Sequence, residues 1–120
     1  MTNNASRNGL AVLKPLFGSP LREAALLYIL THGSAYPREL AKELGFGLLG
    51  AQRQLAALEA GGVIVSWLRG RVRLYQMNPR YPFRRELEAL LLKALEFIPE
   101  EERERLYTPR LRPRKAGKPL

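Results

Sequence analysis

The stretch from Pro37 to Met77, PRELAKELGFGLLGAQRQLAALEAGGVIVSWLRGRVRLYQM, constrains the fold more than any other part of the chain. Pro37 suits the first position of a helix, where its missing N–H costs nothing. Leu40, Ala41 and Leu44 then recur at helical spacing, with Arg38, Glu39, Lys42 and Glu43 facing out. Gly45 suits the positive φ of a helix C-terminus. A sharp turn there lets the next helix cross the first steeply. That next helix runs from about Gly47 or Leu48 to Ala60, with Ala51, Leu55 and Leu58 on one face. Its small Gly50 and Ala51 predict close approach to the preceding helix. Gly61-Gly62 ends it, and two alternating runs follow around a tight turn at Arg69-Gly70-Arg71. This is a hairpin, with Trp67 and Tyr75 placed to pair across it.

The flanks add two long helices. Ser19 is a good N-cap and Pro20 a good first residue. Leu21, Ala24, Ala25, Tyr28 and Ile29 follow with an amphipathic period, and Gly33 stops that helix. His32 lies in its last turn, where the helix dipole favours positive charge; a capping role suits it better than a ligand role. Beyond Asn78-Pro79, Pro82 opens a helix over Phe83 to Phe97. Leu87, Leu90, Leu91, Ala94, Leu95 and Ile98 form its apolar stripe. The stripe either packs on the first long helix or meets a second copy of the chain; its width favours a dimer interface.

The ends look different. Residues 1–15 form an N-terminal arm expected to be flexible, although Leu10, Val12, Leu13, Leu16 and Phe17 could lie across the core or a partner. Pro15 limits any helix there. Residues 16–98 make the folded domain. Residues 99–120 read as a basic, disordered tail, with EEERERLY able to add a turn or two of helix. The tail could track phosphates or only aid solubility.

Charge narrows the partners. The 120 residues carry a net charge of +9, which fits a polyanion. There is no Cys and no Asp, and His32 is the single His. Disulfides, thiolate metal sites and thiol chemistry are excluded. A metal-assisted or His-acid catalytic site cannot readily be assembled, so an enzyme is the least expected class and no cofactor is implied. No run of about 18 apolar residues suggests a membrane span, and the polar start MTNNASRN has no apolar signal core. The expectation is a cytoplasmic protein.

The outward face of the 47–60 helix carries Leu49, Gln52, Arg53 and Ala56. Gln pairs bidentately with adenine and Arg with guanine, so Gln52 and Arg53 are the foremost base-reading candidates, followed by Gln54 and Leu49. Arg69, Arg71 and Arg73 surround the hairpin tip without an evident acidic partner. With Arg38 they are candidates for phosphate or minor-groove contact. The bland alternative is a solvated helix face and an ordinary charged hairpin.

The segments LFGSPLREAALLYIL, PRELAKELGF, QRQLAALEAGGVIVSW and RGRVRLYQMNP resemble the winged helix-turn-helix transcriptional regulators of the broad ArsR-like and MarR-like kind. The resemblance covers Leu16 to about Phe97 and includes the Leu58-Glu59-Ala60-Gly61-Gly62 run before the wing. Its continuation, YQMNPRYPFRRELEALLLKAL, is similar to modules that precede nucleotidyltransferase domains. The resemblance implies a homodimer joined through its first and last long helices. It implies one recognition helix per half-site of a palindromic operator, and wings on flanking DNA. Two departures matter. Gly47, Leu48, Leu49 and Gly50 replace the hydroxyls that many relatives carry at the recognition-helix start. The Cys, His and Asp clusters of metal-sensing members are missing, as is the acidic pair that nucleotidyl transfer would need after Gly18-Ser19. The expected function is therefore that of a DNA-binding transcriptional regulator, a repressor or accessory regulator. The alternatives are a protein-interaction module or a non-specific architectural DNA binder.

Overall fold

A computed structural model of the chain describes residues 13–109. In chain order the elements are α1 (Lys14–Phe17), α2 (Pro20–His32), α3 (Pro37–Leu44), α4 (Leu48–Ala60), β1 (Ile64–Arg69), β2 (Val72–Met77), α5 (Arg84–Leu95) and α6 (Glu100–Leu106). The class is the expected one, mainly helical with one antiparallel hairpin. No helix among the described residues is long and apolar enough to cross a membrane.

Helix α2 is the centre of the packing. Its start follows the sequence signal, since Ser19 Oγ accepts the Arg22 N–H at 3.1 Å and Pro20 is its first residue. Its amphipathic character does not survive. Every residue from Glu23 to Ile29 is buried, and seven consecutive residues point to all sides of a helix. Helices α1, α4 and α5 and strand β2 all pack around it. Leu27 and Ile29 share the core with Leu40 of α3, Leu55 of α4, Ile64 of β1 and Leu91 of α5. Burying each such side chain contributes about 1.5–3 kcal/mol.

Between α3 and α4, Gly45 takes φ 76° and its N–H reaches Ala41 O at 3.0 Å. A side chain is disfavoured in that left-handed conformation, so Gly closes α3 where another residue would strain it. Ala51, Leu55 and Leu58 are buried as their spacing predicts. Two details differ from expectation. Gly50 faces Leu21 of α2 rather than α3. Glu39 does not simply face out: Tyr28 Oη donates to its Oε2 at 2.6 Å and the Tyr36 N–H to its Oε1 at 3.1 Å. One carboxylate thus joins the start of α3 to α2. His32 stacks on Tyr28, with ring centroids 3.8 Å apart, and its Nδ1 lies 3.1 Å from Tyr28 O.

In the hairpin, Gly70 and Arg71 lie between the paired Arg69 and Val72. Trp67 then stands opposite Leu74, and Ser66 opposite Tyr75. The expected Trp67–Tyr75 pair does not form, because this register puts the two rings on opposite faces. Ala35, between α2 and α3, exchanges both backbone hydrogen bonds with Tyr75, at 3.0 and 2.9 Å. This single bridge extends the sheet by one residue and fastens the hairpin to the helices.

The folded unit is longer than the expected 16–98. Leu13 belongs to the core, and α6 extends it at the other end through buried Leu106 and Tyr107. The Arg103 guanidinium also donates to Leu95 O at 3.1 Å, holding α6 against the end of α5. The turn or two of helix allowed for EEERERLY forms over Glu100–Leu106, so the tail is ordered there, where apolar burial outweighs a strongly charged composition. The rest of the expected arm and tail, residues 1–12 and 110–120, lies outside the described residues. Helix α5 is shorter than Phe83 to Phe97, and its stripe turns inward. Leu91, Ala94 and Ile98 are buried, and Leu87, Leu90 and Leu95 are partly so. Those residues serve the chain's own core, as the blander reading held. Phe83, Leu92 and Phe97 remain exposed.

Glu23 is the polar exception inside this core. It is fully buried, and both carboxyl oxygens accept the Leu13 N–H at 3.0 Å. Burial pushes its pKa up to about 7, opposed by the Leu13 hydrogen bond. Tyr107 is nearby, and its phenol is pushed up by burial and then by Glu23 and Glu102, against Arg105. Unfolding returns Glu23 to the ordinary carboxyl range. Its contribution to stability is therefore complete below about pH 4.5 and is lost as pH rises toward about 7, amounting to about 3 kcal/mol. Glu23→Gln removes this titration while keeping an acceptor for Leu13. Urea titrations from pH 4 to 8 should show the variant gaining stability relative to wild type across that window; a pH-independent difference would contradict the buried, raised carboxyl. Leu106→Ala should cost about 2–5 kcal/mol in the same assay. A loss under 0.5 kcal/mol would mean α6 is not part of the core.

Candidate nucleic-acid interface

The start of α3, the first turns of α4 and the returning strand β2 meet around a groove of about 580 Å³. Tyr36 lines it from just before α3, Pro37 and Arg38 from α3, Leu48 and Gln52 from α4, and Arg71, Val72, Arg73 and Tyr75 from the hairpin. Each element is positioned by a contact already described. Glu39 anchors the start of α3, buried Ala51, Leu55 and Leu58 orient α4, and the Ala35–Tyr75 bridge fixes β2. A shallower depression continues along α3 and the next turn, lined by Arg38, Ala41, Lys42, Phe46 and Leu48.

Four of the eight sequence-predicted residues converge here: Arg38, Gln52, Arg71 and Arg73. Their backbone positions span 35 residues of chain, so only the fold brings them together. Leu49 and Arg53 are exposed on α4, and Arg69 is exposed beside the hairpin turn, but none of these three lines the groove. Gln54 does not belong with them. Its Oε1 accepts the Arg22 Nε–H at 2.8 Å, which turns it inward and ties α4 to α2. The physical reason is its helical position: Gln54 precedes buried Leu55 and lies on the flank next to α2, whereas Gln52 and Arg53 lie on the open side.

The electrostatics are one-sided. The groove lining holds three arginines and no carboxylate. Arg73 nonetheless has a link to an acid that sequence reading did not find. Its Nη1 donates to Ser66 Oγ at 2.9 Å, and Ser66 Oγ donates to Glu59 Oε2 at 2.7 Å. The Tyr75 phenol lies in the same environment. Burial raises its pKa, Glu59 raises it further and Arg73 opposes them. The signal available in sequence was Ser66, a polar residue within IVSWL, but using it requires the strand register. Helix α4 begins at Leu48 behind Gly47, which provides no side-chain cap, as the absence of Ser or Thr there implies.

Such a groove presents planar, multidentate N–H donors and one amide to whatever enters it. Arg forks match phosphate oxygens or a guanine edge, and Gln52 can both donate and accept. Two different effects on stability distinguish the two glutamines. Gln54→Ala should destabilise by about 1 kcal/mol through loss of the Arg22 bond, and Gln52→Ala by less than 0.5 kcal/mol. Equal effects in thermal melts would contradict the inward placement of Gln54. Comparison of the chain with protein-family models, curated proteins and solved structures gives no significant match.

Proposed function

We propose that this chain is a winged helix-turn-helix protein that binds double-stranded DNA and acts in transcription regulation. The observation that carries this reading is the convergence of Arg38, Gln52, Arg71 and Arg73 on one acid-free groove beside the exposed face of α4. In the proposed complex α4 lies in the major groove, with Gln52 and Arg53 at base edges and Leu49 available for a thymine methyl. The hairpin contacts the flanking backbone or minor groove through Arg69 and Arg71. The net charge of +9 supports attraction to a polyanion. A homodimer would account for two-fold DNA sites. Since α2 is buried over Glu23 to Ile29, the partner surface would draw on α5 and its flanks, where Leu92 and Phe97 are exposed.

A second reading, a protein-interaction module, rests on a different observation. Leu49, Trp67, Leu68 and Val72 are all exposed on α4 and the hairpin. Apolar side chains at a DNA-facing surface contribute little to phosphate contact, whereas a partner protein would cover them.

Selection from random-sequence duplexes at two salt concentrations separates the readings. DNA binding predicts enrichment at low salt, with a palindrome whose spacing reports dimer geometry. The Arg69→Ala, Arg71→Ala double variant should bind all duplexes more weakly, and its salt slope should fall by about 1 per lost phosphate contact. Gln52→Ala or Arg53→Ala should instead relax base discrimination by about 1–3 kcal/mol. Strong binding without an enriched motif would indicate an architectural binder. No binding of the wild type at low salt would remove the DNA reading in favour of a protein partner.

A further inference from the structure

Arg73 differs from the other groove arginines. Among the described residues it is the one groove arginine with a hydrogen-bonded side-chain partner, and that partner is itself bonded to a carboxylate. Glu59 stands in the last turn of α4, Ser66 on β1 and Arg73 on β2. The relay therefore crosses all three elements that the hairpin and the exposed helix contribute. Its parts have fixed roles. The single Ser66 O–H is spent on Glu59 at 2.7 Å, which leaves the Ser66 lone pairs for the Arg73 guanidinium at 2.9 Å. Ser66 and Arg73 share a face of the hairpin, because Ser66 pairs with Tyr75 and Leu68 with Arg73. No direct ion pair joins Glu59 to Arg73; the hydroxyl stands between them.

An arginine used only as a free charge gains nothing from such an arrangement. An arginine that must meet one phosphate oxygen does, since a preorganised fork loses less side-chain freedom on binding. The carboxylate has a second effect, which opposes the first. It sets a negative charge behind a groove that is otherwise lined by cations alone.

We propose that Glu59 and Ser66 are positioning residues that aim Arg73 into the groove and fix the hairpin's angle to α4, while the Glu59 charge restrains the groove's attraction for phosphate. This rests on the DNA reading of the groove. The relay separates aim from charge, so substitutions at its three members have different signs. Glu59→Gln keeps an oxygen for the Ser66 hydroxyl but removes the charge. Ser66→Ala breaks the aim but leaves the charge. Ser66→Thr keeps the hydroxyl on a residue suited to a strand.

The test uses the full chain and a fluorescent random-sequence duplex, with affinity read by anisotropy over a potassium chloride series. Glu59→Gln should bind about 2–5-fold tighter at low salt and with a steeper salt slope. Ser66→Ala should bind about 3–10-fold more weakly, and Ser66→Thr should restore most of that loss. Arg73→Ala should weaken wild type clearly more than it weakens the Ser66→Ala protein. Additive effects of Ser66→Ala and Arg73→Ala, or a Glu59→Gln protein with wild-type affinity and slope, would overturn the relay while leaving DNA binding intact. A wild type that fails to bind duplex at the lowest salt would overturn the DNA reading and the relay with it. Should Ser66→Ala fail to fold in a thermal melt, the Glu59→Gln slope decides.

Discussion

The structure depends on burying one helix on all its sides. With Glu23 to Ile29 enclosed, α2 supplies the surface on which the other elements find their places. Three polar contacts then set the site relative to it. Tyr28 holds Glu39 at the start of α3, Arg22 holds Gln54 on the flank of α4, and Ala35, just beyond α2, pairs with Tyr75 of β2. Apolar burial supplies the stability, and it is not directional. The hydrogen bonds supply the direction. Removing one of them costs about 1 kcal/mol and also releases a constraint on how a groove element is set.

The groove follows from that arrangement. Arg38, Gln52, Arg71 and Arg73 come from three elements, and none of the four is needed for the core. Their exposure leaves them accessible to a ligand, and three of the four are cations brought to one groove. Because they are solvent-exposed, salt screens their attraction within about 10 Å at 0.1 M. A polyanion bound there, as proposed, would be held by an attraction that depends on ionic strength as much as on shape. The Glu59–Ser66–Arg73 relay joins these two roles, holding one donor by a hydrogen bond and setting a carboxylate behind it.

Much of this was legible in the sequence. Pro37, Gly45, Gly61-Gly62 and Gly70 mark α3, α4 and the hairpin because helix ends and tight turns impose backbone conformations that few residues accept. The period of Ala51, Leu55 and Leu58 separated the buried from the exposed face of α4, and so placed Gln52 and Arg53 correctly. Other features depend on packing that a one-dimensional pattern does not carry. Glu23 looks like a surface residue until its neighbours Leu13 and Tyr107 are known. Gln54 turns inward because Arg22 meets it across 32 residues of chain. Trp67 was paired with the wrong partner because strand alternation does not fix register. The short helix α6 was legible in EEERERLY, but its docking was not, because a run so charged has the composition of a solvated segment until Leu106 and Tyr107 are seen to be buried.

The most direct measurement of the central claim is a titration of the 15N-labelled chain with a short DNA duplex at low salt, followed by amide and arginine side-chain chemical shifts. The account predicts the largest changes at Arg38, Leu48 to Arg53 and Arg69 to Arg73, with the interior of α2 unmoved. Changes concentrated instead on Leu92 and Phe97, or no changes at all, would contradict it.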